Sequence, residues 1–200
     1  MGVHMYLEHF NFKEFPFSLT PNIDFYCNLS GHQNTLNVVL LALRAGEGFV
    51  KVIGEVGSGK TLLCRMLLEQ LGNHFVTAYI PNPDLTPDGL RIALGQELGL
   101  KEPFPTSQHA LLDLINNRLL ALHDAGKQVV LIIDEAQALS DQSLEALRLL
   151  TNLETCKTKL LQVVLFGQPE LDTRLNQNHL RQLNQRITFA CYLPRLNREE

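Results

Sequence analysis

One stretch constrains this chain more than any other: Gly54-Glu55-Val56-Gly57-Ser58-Gly59-Lys60-Thr61, an unbroken G-x-x-x-x-G-K-[ST]. It follows the apolar run Phe49-Val50-Lys51-Val52-Ile53 and precedes Leu62-Leu63-Cys64-Arg65-Met66-Leu67-Leu68, so strand, loop and helix come in the order a phosphate-binding loop needs. With Gly near 7% of residues, the pattern arises by chance about 0.01 times in a chain this long. The residue types explain themselves chemically. Glycines let backbone N–H groups turn inward around an anion with no Cβ in the way. Lys60 supplies a point charge for β- and γ-phosphates, Thr61 a hydroxyl for Mg2+, and the N-terminus of the following helix a partial positive charge. Gly54 through Leu62 is therefore the candidate segment for ATP or ADP with Mg2+.

Two hundred residues with 45% hydrophobic content predict one domain with a sizeable core. The net charge of −4 does not favour nucleic acid, although Arg174, Arg181, Arg186, Arg195 and Arg198 gather late in the chain. That cluster reads equally well as ordinary surface charge. The four cysteines are scattered, without a C-x-x-C pair, which predicts reduced, mostly buried thiols and a cytoplasmic setting. The longest aliphatic run, Val129 to Ile133, is too short to cross a bilayer, so no membrane insertion is expected.

Residues 1–5 read as a cloning remnant, and residues 6–30, rich in Phe and carrying Pro16 and Pro21, as an extended arm rather than a helix. A helix follows from Gly31. Strands are expected at Phe49–Ile53, Phe75–Ile80, Gln128–Ile133, Leu160–Phe166 and Ile187–Leu193. Between them, Thr86-Pro87, Ser107 and Ser140 mark helix starts, and Pro169 to Leu183 reads as one further helix. Strands alternating with helices predict an α/β fold with a mostly parallel five-stranded sheet, an αβα sandwich spanning residues 31–196.

Asp134 and Glu135 end a strand apolar enough to be buried on both faces, at the carboxyl edge where ligands bind in such sheets. Asp134 there would hold Mg2+ with Thr61, and Glu135 would position and deprotonate the attacking water. Gln168 reaches the water or γ-phosphate if its strand lies between the loop strand and the acid strand; otherwise it is a polar turn residue before Pro169. Arg181 and Arg186, near the end of the last helix, either complement its dipole or serve as an arginine finger toward a neighbouring subunit, with Arg186 favoured.

Together these residues resemble the AAA+ ATPases of the P-loop NTPase class, and within them the general secretion pathway protein A family. The resemblance rests on Pro16-Phe17-Ser18-Leu19-Thr20-Pro21, the phosphate loop, Asp134-Glu135-Ala136-Gln137, Leu147 to Glu154, Gly167-Gln168-Pro169-Glu170-Leu171 and Leu180-Arg181-Gln182-Leu183. Ala78-Tyr79-Ile80-Pro81-Asn82-Pro83 looks like the pilus-assembly branch of that family. The resemblance implies ATP hydrolysis at subunit interfaces of a homo-oligomeric ring, coupled to inner-membrane partners of a type IV pilus or type II secretion machine. It makes Gln168 the first sensor, Asn82 a restraint on the catalytic Glu, and His32 a wall of the adenine pocket. The helical lid of that family, with its second sensor, would begin at residues 197–200, and its absence predicts a weak, monomeric ATPase. A peptidoglycan-binding region and membrane span of longer relatives are likewise not expected here. Two other readings compete: a DNA-associated AAA+ ATPase of the transposition-helper or origin-recognition kind, and a nucleotide-gated scaffold that hardly hydrolyses ATP. The charge balance argues against the first and the intact acid pair against the second.

Overall fold

In a computed structural model, residues 2–13, 15, 27, 29–105, 107–155 and 158–195 are described. Helix α1 is Gly2–Phe10, where the sequence suggests a remnant and an extended arm. Tyr6, Phe10, Phe12 and Phe15 gather their rings around it, and that aromatic self-association accounts for the ordered turn. Pro16 to Tyr26 of the arm lie outside the described residues, as do Cys156 and the expected start of a lid at 197–200.

From Ser30 the order is α2 (Ser30–Arg44), β1 (Phe49–Ile53), α3 (Lys60–Gln70), β2 (Phe75–Ile80), α4 (Pro87–Glu97), α5 (Gln108–Asp124), β3 (Gln128–Ile133), α6 (Asp141–Leu150), β4 (Leu161–Gly167), α7 (Pro169–Leu175), α8 (Arg181–Asn184) and β5 (Phe189–Tyr192). The strands lie in the order β2-β3-β4-β1-β5, and each described pairing is parallel.

A parallel sheet must be covered on both faces, and the alternation along each strand shows how. Val50, Val52, Val130, Ile132, Val164 and Phe166 pack with Leu36, Leu43, Leu63 and Leu67 of α2 and α3. Leu131, Ile133, Val163 and Leu165 face the other way, onto Leu90, Ile115, Leu144, Leu147 and Leu171 of α4 to α7. Local signals set the helix starts. The Thr86 hydroxyl accepts from the Gly89 N–H with Pro87 in the first turn, and the Ser140 hydroxyl accepts from the Ser143 N–H. Ser107 sits at the cap position of α5 without a side-chain cap bond.

The expected helix from Pro169 to Leu183 is broken. After α7 the chain is extended at Gln177, makes a 3-10 turn at Asn178–Leu180, and only then enters α8. Asn176 donates to the Asp172 carbonyl and accepts from Asn184, so short amide side chains compete with the helical ladder.

Cys64 and Cys191 are buried thiols, and burial pushes both upward, away from reactivity; Cys27 is exposed. Among the described residues no helix is long and apolar enough to cross a membrane.

Candidate nucleotide site

The crevice follows from topology. The central strands β1 and β4 are neighbours, yet α3 leaves β1 on one face and α7 leaves β4 on the other, so their carboxyl ends open onto a gap. A cavity of about 290 Å3 occupies it, lined by Val56, Gly57, Gly59, Lys60, Thr61, Leu62, Glu135 and Gln168. Residues more than 100 positions apart in the chain thus meet around one space.

The loop is held in the shape its glycines permit. Gly59, the residue before α3, has φ +84, a conformation costly for any residue with a side chain. A Cβ on Gly54 would come within 2.5 Å of the Ser58 hydroxyl oxygen. Lys60 is only 5% exposed, and its ammonium donates to the Gly54 carbonyl at 2.9 Å and the Glu55 carbonyl at 2.8 Å. The Ser58 hydroxyl is buried within the loop with no hydrogen-bond partner. His32 on α2 lies within 2.7 Å of the Ser58 carbonyl and is buried, so its described contact is with the loop backbone from behind.

Asp134, 2% exposed, continues β3 into the crevice. Its carboxyl group accepts from the Glu135 N–H at 2.9 Å and is hydrogen-bonded to the Thr61 side chain. Burial pushes this carboxyl above the usual carboxylate range, against the opposing pull of the Thr61 bond, the Glu135 N–H and the Lys60 charge. A buried carboxylate beside a hydroxyl is a donor set that suits a small divalent cation such as Mg2+, whose charge would relieve the cost of burial.

Glu135 stands at φ 51, ψ 39, a left-handed conformation uncommon outside glycine and costly to hold. Its carboxylate accepts from the Gln168 side-chain amide at 3.2 Å and also from the Gln137 amide. Gln168 follows β4, which does lie between β1 and β3, as the sensor reading requires. A partly buried ion pair links β1 to α7: Lys51 on β1 donates to Asp172 on α7 at 2.5 Å, and the Tyr192 hydroxyl donates to the same carboxylate at 3.1 Å.

Three expected site residues stand elsewhere. Asn82, just beyond β2, is exposed; the groups on Glu135 are Gln137 and Gln168. Arg181 opens α8 and is exposed. Arg186 donates to the Thr151 hydroxyl at 3.3 Å and lines a cavity with Gly48, Phe49, Lys159 and Thr188, at the amino edge of the sheet and thus at the far end from the chain's own phosphate loop. From sequence, Gln137 figures only as part of the Asp134–Gln137 motif and is given no role, although its place two residues after Glu135 was the available signal.

The AAA domain family model matches residues 43–175. Over 196 residues the chain is 46% identical to general secretion pathway protein A of Aeromonas hydrophila, an alignment spanning 98% of this chain and 36% of that protein. The chain therefore covers about a third of that relative's length. Among solved structures, the ORC1 protein of Aeropyrum pernix in complex with DNA matches with a TM-score of 0.65 at 19% identity, over 84% of this chain and 45% of that one. Cdc6p from Pyrobaculum aerophilum matches with a TM-score of 0.62 at 16% identity, over 90% of this chain and 48% of that one. Likenesses at such identities concern the fold. The family match spans the phosphate loop, the acid pair and the strand leading to Gln168, and on that ground this chain belongs to the AAA domain family, in a form similar to general secretion pathway protein A.

Proposed function

We propose that the chain binds ATP with Mg2+ at the carboxyl edge of its sheet and hydrolyses it, in the service of a type II secretion or type IV pilus assembly machine. The observation that carries the reading is the convergence of Lys60, Thr61, Glu135 and Gln168 on one cavity, with Asp134 hydrogen-bonded to Thr61 beneath it. The loop N–H groups and Lys60 would receive the β- and γ-phosphates. Thr61 and Asp134 would hold Mg2+, which when bound neutralises charge developing on the phosphates. Glu135 would take the proton of the attacking water, and Gln168 would orient that water or the γ-phosphate.

A second chain would complete the site. Arg186, with Arg181 as the nearer rival, faces away from its own loop and is suited to offer a guanidinium to a neighbour's γ-phosphate in a ring. The similarity to general secretion pathway protein A supports partners in a secretion system at the inner membrane. The stretch Ala78 to Pro83 favours a pilus role of the mannose-sensitive haemagglutinin type, with the chain on the cytoplasmic side. DNA, which the ORC1 structure contains, is a weaker partner for a chain of net charge −4.

The test is phosphate release with Mg2+ and ATP. Turnover should stop on chelation, and Lys60→Ala should lose about 100-fold in nucleotide affinity, the size of one strong charge-assisted hydrogen bond. Turnover that survives both treatments contradicts the reading.

A further inference from the structure

We infer that Gln137 is a positioning residue for the catalytic carboxylate, an assignment that rests on the ATPase reading above and deepens it. Glu135, Gln137 and Gln168 close a ring of hydrogen bonds. Gln137 and Gln168 each donate a side-chain amide N–H to the same carboxylate oxygen, Oε2 of Glu135. The backbone N–H of Gln168 donates to Oε1 of Gln137 at 3.1 Å. That last bond fixes the chemistry of the ring. A backbone N–H is always a donor, so the Gln137 atom facing it is the amide oxygen, and the amide NH2 must face Glu135.

The ring holds the carboxylate by Oε2, and Glu135 lines the cavity in which a water beside the γ-phosphate would sit. Orientation of this kind acts on the chemical step rather than on binding. It also joins the ends of two strands, because the Gln168 that would sense phosphate on β4 shares an acceptor with the Gln137 that follows β3.

The turn carrying Gln137 is itself strapped. Arg174 on α7 donates to the Gln137 carbonyl at 2.9 Å and to the Leu139 carbonyl at 2.8 Å, and pairs with Asp141 at 2.5 Å. The 3-10 turn Ala136–Ala138 supplies few bonds of its own, so α7 sets where the Gln137 amide points. Glu135 needs such support because its backbone occupies a conformation that surrounding contacts must hold in place.

The experiment compares kcat and KM for ATP, and affinity for a fluorescent ATP analogue, in wild type, Gln137→Ala and Gln137→Glu. Each substitution is also made in a Glu135→Gln background. Gln137→Glu keeps the side-chain size and the acceptor for Gln168 while replacing the donor, so a cavity cannot account for its effect. The expected result is a fall in kcat of about tenfold for Gln137→Ala, equivalent to about 1.4 kcal/mol, and a larger fall for Gln137→Glu. KM and analogue affinity should stay within about twofold, since Gln137 is not among the residues lining the cavity. In the Glu135→Gln background neither substitution should lower the residual rate further, because the effect runs through Glu135. Wild-type kcat in both single variants, or an equal fall in the Glu135→Gln background, overturns the assignment. If wild type releases no phosphate, the ATPase reading fails and takes this one with it; if Glu135→Gln turns over normally, Glu135 is not the catalytic carboxylate and the positioning role falls with it. A silent Gln137 beside a crippled Glu135→Gln defeats the positioning role alone.

Discussion

The two edges of the same five strands follow opposite electrostatic plans. At the carboxyl edge charged groups are withdrawn from water: Lys60 lies against carbonyls of its own loop, Asp134 is almost fully covered, and Ser58 has a buried hydroxyl without a partner. At the amino edge they are at the surface. Lys159 pairs with Glu154 with 40% and 50% of their side chains exposed, and Arg186 leans on Thr151 beside a cavity of about 460 Å3. Solvated pairs of the second kind contribute little to stability and cost little to rearrange. Buried polar groups of the first kind are expensive, and they make sense when a ligand answers them. The strain at Glu135 belongs to the same plan.

The contrast predicts that substitutions at the two edges separate hydrolysis from folding. The largest effect expected at the amino edge is on shared catalysis. Arg186→Ala should cut turnover about a thousandfold, the scale of an arginine finger, while nucleotide affinity is retained. Mixing Arg186→Ala with Lys60→Ala chains should recover activity, because one chain supplies the loop and the other the guanidinium. Wild-type turnover in both Arg186→Ala and Arg181→Ala would break the comparison at its amino edge.

A smaller effect, of opposite sign to most substitutions, is expected at the carboxyl edge. Because the folded-state pKa of Asp134 is raised by burial, the folded chain binds this proton more tightly than the unfolded chain. Its contribution to stability therefore falls as pH rises from the ordinary carboxylate value through the raised one. Asp134→Asn removes that titration and should raise Tm at neutral pH without nucleotide. The gain should shrink as the pH is taken down to about 4, where the unfolded carboxyl protonates. An unchanged or lowered Tm at neutral pH would show that Asp134 is not paying for its burial.

Much of this plan could be read in the sequence, for identifiable reasons. The phosphate loop is local: its glycines, lysine and threonine are adjacent, and their spacing alone dictates the backbone. The burial of β3 is equally local, since Val129 to Ile133 are apolar on both faces. The position of Gln168 depended on strand order, which no single segment specifies; it follows from where the chain returns after β3. The interruption of the helix after Leu175 was harder to read, because Asn176 and Asn184 act through side-chain bonds that form only once the turn exists. The Glu135 clamp was hidden for a related reason. Helical or strand periodicity places side chains on faces, but Gln137 sits in a 3-10 turn after a left-handed residue, where neither period applies. The family resemblance points to Asn82 as the restraint on Glu135, and Asn82 stands exposed instead.

The central claim is that the buried acid edge hydrolyses ATP through Glu135. The direct measurement is phosphate release alongside ATP-analogue binding for wild type and Glu135→Gln, with Mg2+ present. The account predicts that Glu135→Gln binds nucleotide as wild type does and loses turnover by about 100-fold or more, the scale of general-base catalysis. Undiminished phosphate release from Glu135→Gln would contradict it.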